Sequence, residues 1–339
     1  MVGLVFVTVV ITRMYSQTHE LYKGYDTMEQ FVEIQRGAQA NTIGQLLVDA
    51  GVVSGPWIFR LALWWSESEH RLQAGEYHFD RPLTSIEVVD KLVRGQVYLR
   101  PITFPEGLTI TEMAKIFEKE GFGQAETFIR VSNHNELIAE FDNEASNLEG
   151  YLFPDTYALP RKVTAYDLVR LMVERFEQVF NENLREATAA RGWTVREVIT
   201  LASVIQKEVA NPEDGSLVSA VYNNRLRIGM ALQSDPTVIY ALQSVGLYDG
   251  NLTRESLTFD SPYNTYRYAG FPPGPIAAPG RAPIEAALYP AEVKHLYFVS
   301  RNDGSHAFAN SLREHNRNVQ KYQVKYFRER RRRQLKGVD

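Results

Sequence analysis

The 339-residue sequence contains no cysteine, which excludes disulfide bonds, thiolate metal sites and a cysteine nucleophile. It also lacks a strong charge of either sign. The formal net charge is -4, so charge gives no reason to expect nucleic acid as a partner. Internal repeats and low-complexity tracts are missing as well, which excludes solenoid and fibrous architectures.

Long apolar runs are also scarce. Residues 1–11 are almost wholly apolar, but as a helix they would cover only about 16 Å of a hydrocarbon layer of roughly 30 Å. The run resembles the outer end of a membrane anchor, and its valines and isoleucines fit a buried strand equally well. A signal peptide is disfavoured because no basic segment precedes the run and no small-residue cleavage site follows it.

What the sequence does have is the composition of a folded α+β protein. It is 44% hydrophobic and 12% aromatic, and its length predicts two or three domains. Strand and helix patterns mixed within residues 30–104 predict a first compact unit. Its predicted strands are 31–35, 74–79 and 97–104, and its predicted helices are 42–51, with Asn41 or Thr42 as cap, 57–65 and 84–93.

The rest of the chain is predominantly helical in pattern. Pro105 marks the exit from the first unit, and residues 148–157 suit a pocket wall or an ordered loop. At the end, the basic run 330–333 is typical of a solvated tail, with contact to anionic lipid as the alternative. Helices are predicted at 109–120, 128–141, 165–191, 194–209 and 217–227.

The helix predicted at 194–209 carries the most informative carboxyl group, that of Glu208. Glu208 continues the helix's apolar stripe at helical spacing, whereas Gln206 and Lys207 point away from that stripe. A carboxyl in apolar surroundings keeps its proton to higher pH, as a general acid must. Periodicity alone nevertheless favours a buried structural glutamate. The apolar stripe consists of Val198, Leu201, Val204 and Ile205.

Several long segments resemble one family. The chain is similar, over roughly residues 30–325, to the MltG/YceG-like endolytic murein transglycosylases, with the segments in that family's order. The matching segments are 149–157, 201–208, 222–230, 232–240, 263–266 and 272–276, together with His306, Phe308, His315 and Asn316.

The resemblance implies an architecture and a location. It implies a single-pass protein of the inner membrane whose catalytic domain lies on the extracytoplasmic, periplasmic side. The implied partners are peptidoglycan glycan strands and membrane-bound peptidoglycan synthases, without nucleic acid. The expected parts are a membrane-anchor remnant at 1–15, a LysM-like subdomain at 30–104, a catalytic transglycosylase domain at 105–325 and a basic tail at 326–339.

The resemblance also implies a chemistry. Glu208 stands at the position of the family's catalytic acid, and Gln206 departs from the glutamate usual at the first acidic position. We expect Glu208 to protonate the oxygen between N-acetylmuramic acid and N-acetylglucosamine, and the muramoyl C6 hydroxyl then to close on C1 as a 1,6-anhydro end. Glu208, then ionised, is expected to take the proton of that hydroxyl. One carboxyl can serve both steps because the nucleophile belongs to the substrate, and no metal or other cofactor is expected.

Amide, carboxylate and phenol side chains in the matching segments are the candidates for binding the glycan. Some have structural alternatives: Asp235 fits a helix cap, and Glu149 fits a partner of an arginine. The spacing of His295, His306 and His315 fits no compact metal site. The substrate-binding candidates are Glu149, Asn224, Gln233, Asp235, Tyr263, Asn264 and Tyr266.

Two alternatives remain open from the sequence. The first is a peptidoglycan hydrolase that pairs Glu208 with Asp235 or Glu149 and leaves reducing ends. The second is a catalytically silent glycan-binding scaffold of a wall-synthesis complex, which the substitution at Gln206 keeps possible.

Overall fold

The computed structural model describes residues 2–335 and has the α+β fold class predicted from the sequence. Two compact units divide this part of the chain. The first comprises residues 2–101 with Ala158–Lys162, and the second comprises Ile102–Tyr157 with residues 163–335.

The first unit begins with helix α1 (Val2–Thr18), so the apolar start is helical rather than a buried strand. Its exposed side chains include Phe6 and Val9. Within residues 2–335, no helix combines the length and the apolar character needed to cross a bilayer. The remaining elements are β1 (Gln30–Ile34), α2 (Ala40–Asp49), α3 (Pro56–Trp65), β2 (Gly75–Phe79) and α4 (Ser85–Val93).

Strands β1 and β2 pair antiparallel, with Val32 opposite Tyr77. Alternate residues of β1 point into a core that includes Phe59 and Leu47, as the period of a half-buried strand requires. Helix α4 begins with a capping box between Thr84 and Glu87. The predicted cap of α2 was wrong: the helix begins at Ala40, and its N-cap is Gln39, whose side chain makes no capping hydrogen bond.

Next along the chain come β3 (Arg100–Thr103), α5 (Ile110–Lys119), α6 (Ala125–Val131) and β4 (Thr156–Leu159). Strands β3 and β4 form a two-stranded sheet. Strand β3 is shorter than the predicted strand 97–104. The remaining α-helices and strands are α7 (Ala165–Val179), α8 (Glu182–Ala190), α9 (Val195–Glu208), α10 (Gly215–Arg227), α11 (Asp235–Ser244), α12 (Arg281–Leu288), β5 (Tyr297–Ser300), β6 (His306–Ala309), α13 (Leu312–Val319) and α14 (Tyr326–Leu335).

Two predicted helices of the second unit are each broken in two. The pattern at 128–141 is α6 followed by a separate 3-10 turn, Asn135–Ile138. The amide of Asn135 bonds to the carbonyl of Ala145 there, which favours a turn over a continuing helix. The pattern at 165–191 is α7 and α8, separated where Asn181 caps α8 by accepting from the N–H of Leu184.

Helix α9 lies at the centre of the second unit. A capping box between Thr194 and Glu197 starts it, and every residue from Val198 to Ile205 is buried. Helix α12 packs along it. The antiparallel pair β5 and β6, with Phe298 opposite Phe308, lies in the same unit. This packing fixes the end of α9, where Glu208 is the last helical residue.

Candidate functional site

Glu208 lines a cavity of ≈ 440 Å³ in the second unit. The walls come from elements far apart in sequence: the end of α9, helix α10, the turn before α11, the two strands β5 and β6, and α13. Its polar lining comprises Glu208, Arg225, Gln233, Asp235, Tyr266, Tyr297, Ser300, His306 and His315.

The Glu208 carboxyl is held through one oxygen. Its Oε1 accepts from the hydroxyl of Tyr222 at 3.0 Å and from that of Ser234 at 2.7 Å. Burial raises the pKa of Glu208 above its usual value. The two hydroxyl donors oppose that rise, the charge of Asp235 adds to it, and His306 opposes it. The group can therefore retain a proton at a pH where an exposed carboxyl would be ionised.

The turn before α11 brings Ser234 to Glu208. Gln233 has φ = 50°, a left-handed backbone conformation that a non-glycine residue rarely adopts. The loop residue Thr265 holds this turn, because its carbonyl accepts from the N–H of Gln233 and its hydroxyl accepts from the N–H of Ser234. Such strain in a non-glycine residue is typical of functional sites.

Asp235 follows Ser234 into the cavity. It is the first residue of α11, and the N-cap position belongs to Ser234. The hydroxyl of Tyr266 donates to Asp235 Oδ1 at 2.6 Å. Gln233, Asp235 and Tyr266 are thus the predicted binding residues that the structure brings together with Glu208.

Two other predicted binding residues, Asn224 and Asn264, donate hydrogen bonds from their side-chain amides to backbone carbonyls. The Asn224 amide donates to the carbonyls of Val293 and His295, which holds the chain entering β5. The Asn264 amide is buried and donates to the carbonyls of Leu257 and Phe259. Neither asparagine lines the cavity around Glu208.

Glu149 lies in a second cavity, of ≈ 340 Å³. Its carboxylate accepts from the N–H of Ile110, at the start of α5, and from the hydroxyl of Tyr240 at 3.4 Å. Burial raises the pKa of Glu149 to about 8. The ring of Tyr263 lies 5.0 Å from that of Tyr240, so Tyr263 belongs to this neighbourhood.

Gly150 explains the sharp turn after Glu149. Its φ is +85°, and a Cβ there would lie 2.4 Å from Pro275 and 3.0 Å from Ile199. Only glycine fits both the backbone conformation and the close approach.

Gln206 forms its hydrogen bond at the start of α12 and not at Glu208. Its Oε1 accepts from the N–H of Gly280, the N-cap of α12, at 3.0 Å. The side chain does not line the cavity around Glu208.

His295, His306 and His315 each contact a different partner. His306 pairs with Asp214, and His295 with Asn310. His315 stacks on Tyr297 at 5.2 Å. Within residues 2–335, no group of three or more histidine, aspartate or glutamate side chains is placed to hold a metal ion.

The sequence model of the YceG-like family matches residues 32–321, which is most of the chain. This chain belongs to the YceG-like family. A relative from Bacillus subtilis (strain 168), named endolytic murein transglycosylase, is 30% identical over 86% of this chain and 84% of its own length.

A relative of the same name from Streptococcus pneumoniae (strain R6) is 30% identical over 85% of this chain, which spans 57% of that longer protein. The crystal structure of a YceG-like protein from Listeria monocytogenes is similar at a TM-score of 0.59 and 29% identity. That match covers 86% of this chain and 98% of the solved one.

Sequence reasoning did not name four of the groups around Glu208 as catalytic or binding residues. Tyr222, Ser234 and His306 lie within segments that carried the family resemblance, so motif membership was the available signal. Arg225 also lies in such a segment. It is buried and donates to the carbonyls of Leu232 and Leu296, which places a guanidinium beside the cavity.

Proposed function

We propose that this chain is an endolytic peptidoglycan lytic transglycosylase in which Glu208 is the general acid. The observation that carries the proposal is the Glu208 carboxyl, which opens on a cavity while burial raises its pKa. A general acid needs a proton at working pH and access to the substrate. The names of the relatives supply the class of substrate.

In this mechanism Glu208 protonates the glycosidic oxygen between N-acetylmuramic acid and N-acetylglucosamine as the C1–O bond breaks. The muramoyl C6 hydroxyl then bonds to C1 and gives a 1,6-anhydro end. The oxocarbenium character that develops at C1 is stabilised by negative charge nearby. Asp235 faces the same cavity and is suited to that role.

Different candidates would act on the glycan in different ways. Gln233, Asp235 and Tyr266 line the cavity of Glu208 and would contact the reacting sugars. Asn224 and Asn264 would act indirectly by fixing the backbone that shapes the groove. Glu149 lines the second cavity and Tyr263 packs against Tyr240 of that cavity, so these two residues would act on sugars further along the strand.

For the first unit we propose a LysM-like subdomain at 30–104 that contacts glycan. We also propose that the apolar helix α1 belongs to an anchor in the inner membrane, with the catalytic unit on the periplasmic side. The exposed apolar side chains of α1 support contact with lipid. Membrane-bound peptidoglycan synthases are the proposed protein partners.

Glu208→Gln tests the mechanism on isolated sacculi. The variant should release less than about 1% of the wild-type anhydro-muropeptides, because general acid catalysis contributes roughly 10²–10⁴-fold. The exposed Glu186 of α8 provides the matched control, Glu186→Gln, which should keep wild-type activity. Mass spectrometry of the products gives the readout.

The same spectra separate the alternatives. A hydrolase product is one water heavier than an anhydro product, so reducing muramic ends alone would establish hydrolysis. Hydrolysis through Asp235 has one observation in its favour, since Asp235 shares the cavity with Glu208. Equal and negligible release by wild type and Glu208→Gln would instead favour a silent scaffold.

A further inference from the structure

His306 and Asp214 form a buried pair at the edge of the catalytic cavity. Both the backbone N–H and the ring Nδ1 of His306, the first residue of β6, contact Asp214 Oδ2 at 2.8 Å. The two side chains are 8% and 13% exposed, so the pair is not a loose surface contact. Asp214 lies in the 3-10 turn Pro212–Asp214, directly before α10.

The carboxylate fixes which ring nitrogen carries the hydrogen. Because a carboxylate can only accept, Nδ1 of His306 is the donor, and in the neutral ring Nε2 keeps a free lone pair. Phe298 packs edge-on against the imidazole at 5.3 Å and fixes its plane. Among residues 2–335, no hydrogen bond to His306 Nε2 is found, and His306 lines the cavity that holds Glu208.

Glu208 already uses one of its oxygens. Tyr222 and Ser234 both donate to Oε1. If Glu208 served alone, its carboxyl would have to deliver a proton to the leaving oxygen and then take one from the C6 hydroxyl. A neutral imidazole oriented by a carboxylate is the arrangement that accepts a hydroxyl proton in many enzymes.

We propose that His306, oriented by Asp214, is the base that removes the proton from the muramoyl C6 hydroxyl, so that acid and base roles fall to two residues. The inference deepens the proposed transglycosylase function and rests on it. In this scheme His306 is a catalytic residue, and Asp214 is a positioning residue.

The step balances within the substrate and these two side chains. The C1–O4 bond breaks, and the Glu208 proton goes to O4 of the leaving N-acetylglucosamine. The C6 oxygen bonds to C1 while its proton goes to His306 Nε2. After the cut Glu208 is a carboxylate and His306 an imidazolium, and transfer of one proton between them through solvent restores the starting state.

The pH dependence follows from this division. A base accepts a proton only when it is itself unprotonated, so a base separate from Glu208 should make the rate rise with pH on the acid side. It should fall again as Glu208 loses its proton. A single-residue mechanism through Glu208 predicts only the fall. The other titratable or charged groups that face His306 across the cavity are Arg225, Asp235, Tyr266, Tyr297 and His315.

His306→Gln tests the assignment, measured as anhydro-end release from sacculi between about pH 4.5 and about pH 9. The expected result is a kcat lower by about 10²-fold, with the rise at low pH gone and the fall at high pH retained. The exposed His134, which contacts only Glu136 among the ion pairs of residues 2–335, gives the control His134→Gln with a wild-type profile.

The variant Asp214→Asn is a second test, which distinguishes loss of the catalytic base from misfolding of His306→Gln. It keeps an acceptor for the His306 N–H but also offers an amide donor, which disfavours the productive tautomer. We expect a kcat at least about 10-fold lower at an unchanged unfolding temperature.

Three outcomes would overturn the inference. A His306→Gln profile that matches wild type within about threefold assigns both roles to Glu208, as does a variant with raised KM and unchanged kcat. In both cases the transglycosylase function stands. If wild type and Glu208→Gln release equally little, the proposed function fails and the base assignment fails with it.

Discussion

The two oxygens of Glu208 have different surroundings, and that difference sets its acidity. Two hydroxyls donate to Oε1, while burial penalises the charged form of the whole group. Burial is the larger influence, so the pKa is raised. The donors limit that rise and stabilise the carboxylate that forms when the proton leaves. A carboxyl without them would hold its proton more tightly and be a weaker acid.

Tyr222→Phe removes one donor without changing the ring. We expect kcat to fall about tenfold, because a hydrogen bond to a charged group contributes roughly 1.5 kcal/mol. The fall in kcat/KM at high pH should move to higher pH, since losing the donor raises the pKa of Glu208 further. Steady-state assays across pH check both effects.

Tyr326→Phe is the matched control, since Tyr326 is exposed on α14 and should leave the profile unchanged. Ser234→Ala removes the other donor and should shift the profile in the same direction as Tyr222→Phe. An unshifted high-pH limb in both Tyr222→Phe and Ser234→Ala would show that the two hydroxyls do not tune the pKa of Glu208.

Sequence reasoning could predict the position of Glu208 but not its neighbours. Helical periodicity carries information over one element, and Glu208 lies on α9. Ser234 reaches it only because Gln233 adopts a positive φ, which nothing in residue type dictates. Likewise, composition cannot distinguish an amide that faces a ligand from one, such as that of Asn264, that holds backbone carbonyls.

At the scale of elements, helix starts were easier to predict than helix interruptions. Thr109 and Thr194 are each followed three residues later by glutamate, and both form capping boxes. The division between α7 and α8 was missed because helical residues continue on both sides. Phe180 leaves the helix with ψ = 60° and stacks on Phe176 in the core, a tertiary contact invisible to local patterns.

The side chain of Gln206, on α9, is held by a hydrogen bond at the N-terminus of α12. Gln206 accepts from the N–H of Gly280 at the N-terminus of α12. The carboxylate of Glu106 already lies at this terminus, since a Cβ on Gly280 would be 1.9 Å from its Oε1. A negative charge at a helix N-terminus stabilises by about 0.3–1 kcal/mol, and a neighbouring like charge costs a similar amount.

Gln206→Glu should therefore change the free energy of unfolding by less than about 1 kcal/mol, because the two effects oppose each other. Gln206→Ala is the matched comparison, and it should destabilise by about 1 kcal/mol through loss of the acceptor. Chemical denaturation measures both. Neither variant should change kcat by more than about threefold, since the side chain lies outside the cavity. A much larger loss in Gln206→Glu would place residue 206 in the catalytic chemistry.

At the scale of the whole molecule, helix α11 connects the two cavities of the second unit. Asp235 at its start lines the cavity of Glu208, while Tyr240 and Gln243 line that of Glu149. Asp235 and Gln243 are eight residues apart, a rise of about 12 Å along the helix. Glu149 and Asp235 were both predicted to bind the glycan, and they line two different cavities joined by this helix.

The buried Glu149 should make the stability of the protein depend on pH. Its folded-state pKa is raised from 4.5 to about 8, so the unfolded chain releases this proton first as pH rises. The stability linked to this group is fully present below about pH 4.5 and is lost as pH rises towards 8, at up to roughly 1.4 kcal/mol per pH unit. Glu149→Gln removes the titration but keeps an acceptor for the N–H of Ile110.

The difference in free energy of unfolding between Glu149→Gln and wild type should therefore shift in favour of the variant as pH rises from about 5 to about 8. Denaturation curves at several pH values measure that difference. The same series on Glu186→Gln, at an exposed site, should run parallel to wild type. Parallel curves for Glu149→Gln as well would mean that Glu149 is already ionised in the folded protein, because only a carboxyl that stays neutral while its unfolded counterpart ionises produces the divergence.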